Sequence, residues 1–129
     1  MVMSRYLAAF TGLALFIIGV RFLLVPHEAG LFFGIATDDA TSAAALSYVI
    51  GLRDIWLALL VIVLSAVQDW RGLTLWLGFC APVCLGDAAI AAYSSGQPWS
   101  VGFHLVSGIF CSVLALRCWR QYLRTSRTA

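Results

Sequence analysis

The chain has 129 residues, 62% of them hydrophobic and only 11% charged, with a mean hydropathy of +0.94. A soluble domain carries about 25% charged residues, so this composition excludes a water-soluble globule and points to an integral membrane protein in contact with the lipid bilayer. The net charge of +2 comes from eight Arg and no Lys against six acids, with no basic patch to suggest a nucleic-acid partner.

Crossing a hydrocarbon core takes about 20 apolar residues, so the length admits at most about four or five spans and no sizeable soluble domain. Residues 6–24 are apolar except for Thr11 and Arg21 and are stopped by Pro26. No small-residue cleavage site follows, so this is read as a retained span and not a cleaved signal. Gly12 and Gly19 lie seven apart, hence on one face, where small residues let a neighbouring helix come close. Arg21, near the far end, either snorkels to the interface or reaches inward to a partner.

Residues 26–41 carry His27, Glu28, Asp38 and Asp39 around the apolar run Gly30-Leu31-Phe32-Phe33-Gly34. They are read as a loop that lies flat at the interface or folds back as a lid. Asp38, Asp39 or Thr41 is expected to cap the next helix.

The second span, 42–67, contains Arg53-Asp54. A charge at a bilayer centre costs roughly 2.5–3.5 kcal/mol on insertion scales, so such residues face the bundle interior and take a partner. Ser47, Gly51, Asp54, Ala58 and Ser65 follow the helical period and form a small, polar stripe expected to face the bundle. Arg53 points about 100° away from Asp54, which predicts separate partners: Asp87 for Arg53, and Arg21 or His104 for Asp54. Gln68 to Gly72 reads as a short aqueous turn.

The third span, 73–93, holds Cys80, Cys84, Asp87 and Ala91 on one face, and Pro82 predicts a kink by removing one backbone hydrogen bond. Residues 94–100 form a turn with Trp99 at an interface. The fourth span, 101–122, aligns His104, Gly108, Cys111 and Ala115, followed by Arg117, Arg120, Arg124 and Arg127. The positive-inside rule places that tail, Arg5 and Arg71 in the cytoplasm, with both termini inside. The expected fold is one all-α, four-helix transmembrane bundle in a plasma or bacterial-type inner membrane.

Counting 1.5 Å per residue from the outer ends puts Arg21, Asp87 and His104 roughly 5–9 Å deep and Arg53 and Asp54 roughly 16–18 Å deep, with Tyr48 near the outer group. Four helices thus bring ionisable groups toward one polar pocket. A purely structural ion network fixing helix register is the competing explanation.

A metal site from Cys80, Cys84, Asp87 and His104 is disfavoured: neither Cys-x-x-Cys nor His-x-x-x-His spacing occurs, and thiols on an apolar face ordinarily pack as small hydrophobes. No disulfide framework and no cofactor are expected. Nucleotide loops and the Gly-x-Ser-x-Gly elbow are absent from the sequence. General acid–base chemistry remains, with Asp54, Asp87 and His104 as the catalytic candidates and Arg21, Arg53 and Tyr48 as binding or charge-pairing residues. Five Trp, four Tyr and eight Phe offer ring faces that stabilise a cationic intermediate. These features fit isomerisation, epoxide opening or terpenoid-type cyclisation of a lipophilic small molecule. The alternatives are an oligomeric ion-coupled carrier, since four spans are few for a complete path, and a structural or accessory subunit.

Gly51-Leu52-Arg53-Asp54-Ile55, together with Gly19-x-Arg21 before Pro26 and the Gly-Leu-Phe-Phe-Gly run at 30–34, resembles a family of small four-span membrane proteins classed as a domain of unknown function. The resemblance covers roughly residues 6–122 and implies the four-helix architecture; it carries no activity.

Overall fold

A computed structural model describes residues 2–35, 40–95 and 97–126. The expected caps Asp38 and Asp39, the side chain of Thr41, and Arg127 lie outside the described residues. The fold is all-α: α1 (Val2–Leu24), α2 (Pro26–Phe33), α3 (Ala40–Ala66), α4 (Trp70–Ser94) and α5 (Pro98–Ser126). Within α1, α3, α4 and α5 the stretches Met3–Leu24, Ala44–Ala66, Trp70–Ser94 and Pro98–Ser126 are each long and apolar enough to cross a membrane. Their outward residues, among them Ile17, Val49, Trp56, Phe79 and Ile109, are exposed, as lipid contact requires.

The segment expected as a loop after α1 begins instead with a two-turn helix. Pro26 stands at its first positions, Glu28 lies in its first turn, and Gly34 closes it at φ 88°. Proline is preorganised for a helix start and glycine adopts the left-handed closing conformation without steric cost, so this helix has its own local stop and start signals. Gly34 N–H donates to the Leu31 carbonyl (3.1 Å) and Ile35 N–H to that of Gly30 (2.9 Å). At the other turn, between α3 and α4, Gln68 takes φ 59° and Asp69 Oδ1 accepts from Gly72 N–H at 2.9 Å. Helical backbone continues on both sides of Pro82.

α1 packs along α3, and α4 along α5; the two pairs meet more thinly. The α1–α3 seam depends on backbone proximity. A Cβ added at Gly51 would stand 2.7 Å from the Gly19 carbonyl oxygen, and one at Gly19 would stand 2.8 Å from that of Gly51. Gly12 meets Val61 and Ile62 in the same way, at 2.7 Å each. The expected small-residue face is therefore the one on which α1 and α3 close.

The bundle is filled unevenly along its axis. At the end near the chain termini, Ala8, Val61, Trp70, Leu73, Leu77, Cys111, Leu114, Ala115 and Cys118 form a continuous buried core. At the opposite end α2 lies across the helices, and the space beneath it is a cavity.

Gly51→Val is expected to lower the apparent Tm of the detergent-solubilised protein by the equivalent of about 1–3 kcal/mol, the usual cost of overpacking where a backbone carbonyl cannot move aside. Gly86→Ala, where an added Cβ meets nothing within 4 Å, should leave it unchanged.

Candidate functional site

The site begins with the problem α2 creates. A helix end leaves carbonyls without intrahelical partners, and in an apolar setting each costs several kcal/mol unless a donor is supplied. Gly34 and Ile35 satisfy two of them; side chains from other helices satisfy the next two. Ser100 Oγ–H donates to the Phe32 carbonyl at 3.0 Å, and His104 Nε2–H to the Phe33 carbonyl at 3.2 Å. At the other end of α2, Ser47 Oγ–H donates to the Pro26 carbonyl at 3.1 Å. All three side chains are buried. Because a carbonyl only accepts, the His104 proton sits on Nε2 and only Nδ1 remains open.

Aromatic packing completes the lid. Phe33 meets His104 edge-on with ring centroids 4.9 Å apart, and it stands 4.9 Å from Phe22 and 5.9 Å from Phe103. Phe32 packs on Trp99 and Phe103, each at 6.0 Å. Residues 26–35 thus pack back onto α3 and α5 as a short cover over that end of the bundle, with Phe33 facing the cavity.

Beneath the lid lies a cavity of about 410 Å³ to which α1, α2, α3, α4 and α5 all contribute. Its walls are overwhelmingly apolar: Phe10 and Leu15 from α1, Phe33 from α2, Leu57 from α3, Val83 from α4 and Phe110 from α5. Into this surface project Arg53, Asp54, Asp87 and His104. The pocket expected to be polar is instead a hydrocarbon-lined chamber with a small ionisable cluster. Size and lining are those of a small-molecule site, where a few polar groups orient a mainly apolar ligand.

The inward stripes are as expected. Ser47, Gly51, Asp54, Ala58 and Ser65 are all buried, as are His104, Gly108, Cys111 and Ala115. Cys80, Cys84 and Asp87 line the cavity from α4. The expected pairings are not. Arg53 Nε donates to Asp54 Oδ1 at 3.0 Å, forming an ion pair, whereas helical periodicity predicts separate partners for the two. Their Cα–Cβ bonds do diverge, but an arginine side chain is long enough to curl along its own helix. In apolar surroundings the adjacent carboxylate is the nearest acceptor. Asp54 is 3% exposed and Arg53 46%, so the carboxylate is anchored inside while the guanidinium stands at the cavity edge. Asp87 makes no hydrogen bond or ion pair among the described residues.

Arg21 and Tyr48 do not join the site. Arg21 is exposed and its guanidinium lies 5.8 Å from the Phe32 ring centroid, a cation–π contact on the outer side of the lid. Tyr48 is 48% exposed on the outer face of α3. His27 and Glu28 are exposed and do not line this cavity. Sequence reasoning missed Ser100, Phe33, Phe103 and Trp76. Ser100 lies four residues before His104, on the same face of α5, and that spacing was the available signal. Trp76 lines the cavity's far end, and its indole nitrogen is buried without a hydrogen-bond partner among the described residues. The four cysteines are free thiols, and no group of three His, Cys, Asp or Glu side chains able to hold a metal occurs among the described residues.

Residues 12–118 match the family described as Domain of unknown function (DUF4267), well over half of the chain, and the chain belongs to that family. Neither the curated proteins nor the solved structures yield a match.

His104→Phe keeps the ring packing but removes the donor to the Phe33 carbonyl, leaving a buried acceptor that costs about 1–3 kcal/mol. Hydrogen exchange should then speed up at residues 29–35 while the core near Leu73 and Leu114 stays protected; unchanged protection of α2 would contradict the role given to His104.

Proposed function

Starting from membership of a family of unknown function, we propose that this chain binds a lipophilic small molecule in the chamber beneath α2 and converts it by acid–base catalysis. One observation carries the reading: Asp54 and Asp87, from different helices, both line one cavity that is otherwise apolar. A four-helix bundle can pack with Gly, Ala and Ser alone, and intramembrane ionisable residues are functional candidates by default.

The two carboxyls have different surroundings and so suit different roles. Asp54 is held by Arg53, whereas Asp87 makes no ion pair among the described residues. One carboxyl passes its proton to a double-bond carbon or an epoxide oxygen of the ligand, and the developing cation lies against the rings of Phe33 and Phe103. Loss of a proton from a neighbouring carbon to the other carboxyl forms the new double bond, and exchange between the two carboxyls resets the site. Isomerisation, epoxide opening and terpenoid-type cyclisation all follow this course. His104 positions the lid, because its Nε2–H is committed to the Phe33 carbonyl. Both termini are cytoplasmic in this reading, which turns α2 and the chamber toward the outer half of a plasma or bacterial-type inner membrane.

The protein reconstituted with a lipid extract of its host membranes should generate an isomeric or cyclised product detectable by chromatography and mass spectrometry. Asp87→Asn and Asp54→Asn should each lower that conversion by about 100-fold or more while the protein remains folded and extractable. Flux of an ion or tracer across proteoliposomes, with every lipid chemically unchanged, would overturn the enzymatic reading in favour of a carrier.

A further inference from the structure

Of the ionisable groups that line the chamber, Asp87 and His104 lie toward α2, while Asp54 neighbours both Asp87 and Cys80. Along α4 the lining runs from Trp76 to Asp87, roughly 16 Å at 1.5 Å per residue. Asp87, His104 and Phe33 occupy the α2 end and Trp76 the end nearest the packed core. A volume of about 410 Å³ over that length gives a mean cross-section of roughly 25 Å², room for a single hydrocarbon chain. The space is a slot that leads from Asp87 and His104 at one end to Trp76 at the other.

The chemistry of the slot's ionisable groups narrows the ligand's head group. A guanidinium has five N–H donors, and Arg53 uses one of them, on Asp54; the others have no acceptor among the described residues. The Asp87 carboxyl, from α4, makes no hydrogen bond or ion pair among the described residues. An anionic head would satisfy Arg53 but be repelled by the Asp54 carboxylate paired with it. A cationic head would be repelled by Arg53 and leave its donors unused. A neutral group that accepts from the guanidinium and hydrogen-bonds to the Asp87 carboxyl meets both requirements, and the smallest such group is a hydroxyl. Resting on the proposed binding function of the chamber, we infer that its ligand is a single-chain lipophilic alcohol, held with its hydroxyl between Arg53 and Asp87 and its hydrocarbon tail directed at Trp76.

Tryptophan fluorescence tests both the head group and the orientation. In nanodiscs, the full chain with Trp56, Trp70, Trp99 and Trp119 replaced by Phe reports from Trp76 alone, and one retaining only Trp99 reports from the lid. A heavy atom at the tail of ω-bromododecanol should quench Trp76 saturably and leave Trp99 bright. Bromododecane, ω-bromododecylamine and ω-bromododecanoate should each bind about tenfold more weakly or worse, the scale of one lost charge-assisted hydrogen bond. Arg53→Gln and the near-isosteric Asp87→Asn should each weaken the alcohol by a similar factor and leave the alkane unaffected. Equal affinity for alcohol and alkane, tighter binding of the amine or carboxylate, or quenching at Trp99 in place of Trp76 would overturn this inference while leaving the chamber a lipophile site. Absence of saturable quenching by any of the four probes would overturn the binding function itself.

Discussion

The structure depends on satisfying the backbone at the end of α2. A two-turn helix lying across an apolar bundle exposes carbonyls that neither water nor lipid can bond, so other helices must supply donors. Gly34 and Ile35 serve two carbonyls locally, and Ser100 and His104 of α5 serve those of Phe32 and Phe33. Ser47 of α3 holds the first residue of the helix. Three of the buried polar side chains are thus accounted for by one short segment. With α2 fixed, Phe33 lines the chamber and its ring contacts His104 and Phe103.

This fixation explains the division of the bundle into a filled and a hollow half. Below, Leu73, Leu77, Leu114 and Cys118 interdigitate with α1 and α3 in a continuous core. Above, α2 is tied to α3 through Ser47 and to α5 through Ser100 and His104, and the cavity lies on that side of the core. The Arg53–Asp54 pair sits on this upper wall, where a carboxylate buried without a partner would cost several kcal/mol. The same pair that stabilises the fold orients a carboxylate at the cavity surface, so structural and chemical roles coincide in it.

Much of this was legible in the residues. The spans follow from apolar length, and the inward faces of α3 and α5 follow from helical periodicity: every member of the two stripes, Ser47 to Ser65 and His104 to Ala115, is buried. Counting residues puts Asp87 and His104 roughly 5–9 Å deep and Arg53 and Asp54 roughly 16–18 Å deep, and one cavity contains all four. Periodicity says where a side chain starts but not where a long one ends. That is why the Arg53–Asp54 pair was misread, and why Arg21 was allowed to reach inward when it stacks on Phe32 instead. The helix at 26–33 was missed although Pro26 and Gly34 bracket it, because eight residues make only about two turns, too few for a helical period to stand out in a sequence. The hydrocarbon lining of the pocket was hidden for another reason. Polar residues attract attention in an apolar chain, while the Phe, Leu and Val side chains that dominate the wall look like any other lipid-facing residue.

The central claim is that the chamber beneath α2 holds a lipophilic molecule. Native mass spectrometry of the protein purified from its own membranes measures this most directly, compared with Ala14→Trp, which fills the chamber from α1 without altering a polar group. The account predicts a discrete lipophilic adduct on the wild type that is lost from a folded Ala14→Trp protein. An identical adduct pattern on both, or none on the wild type, would contradict it.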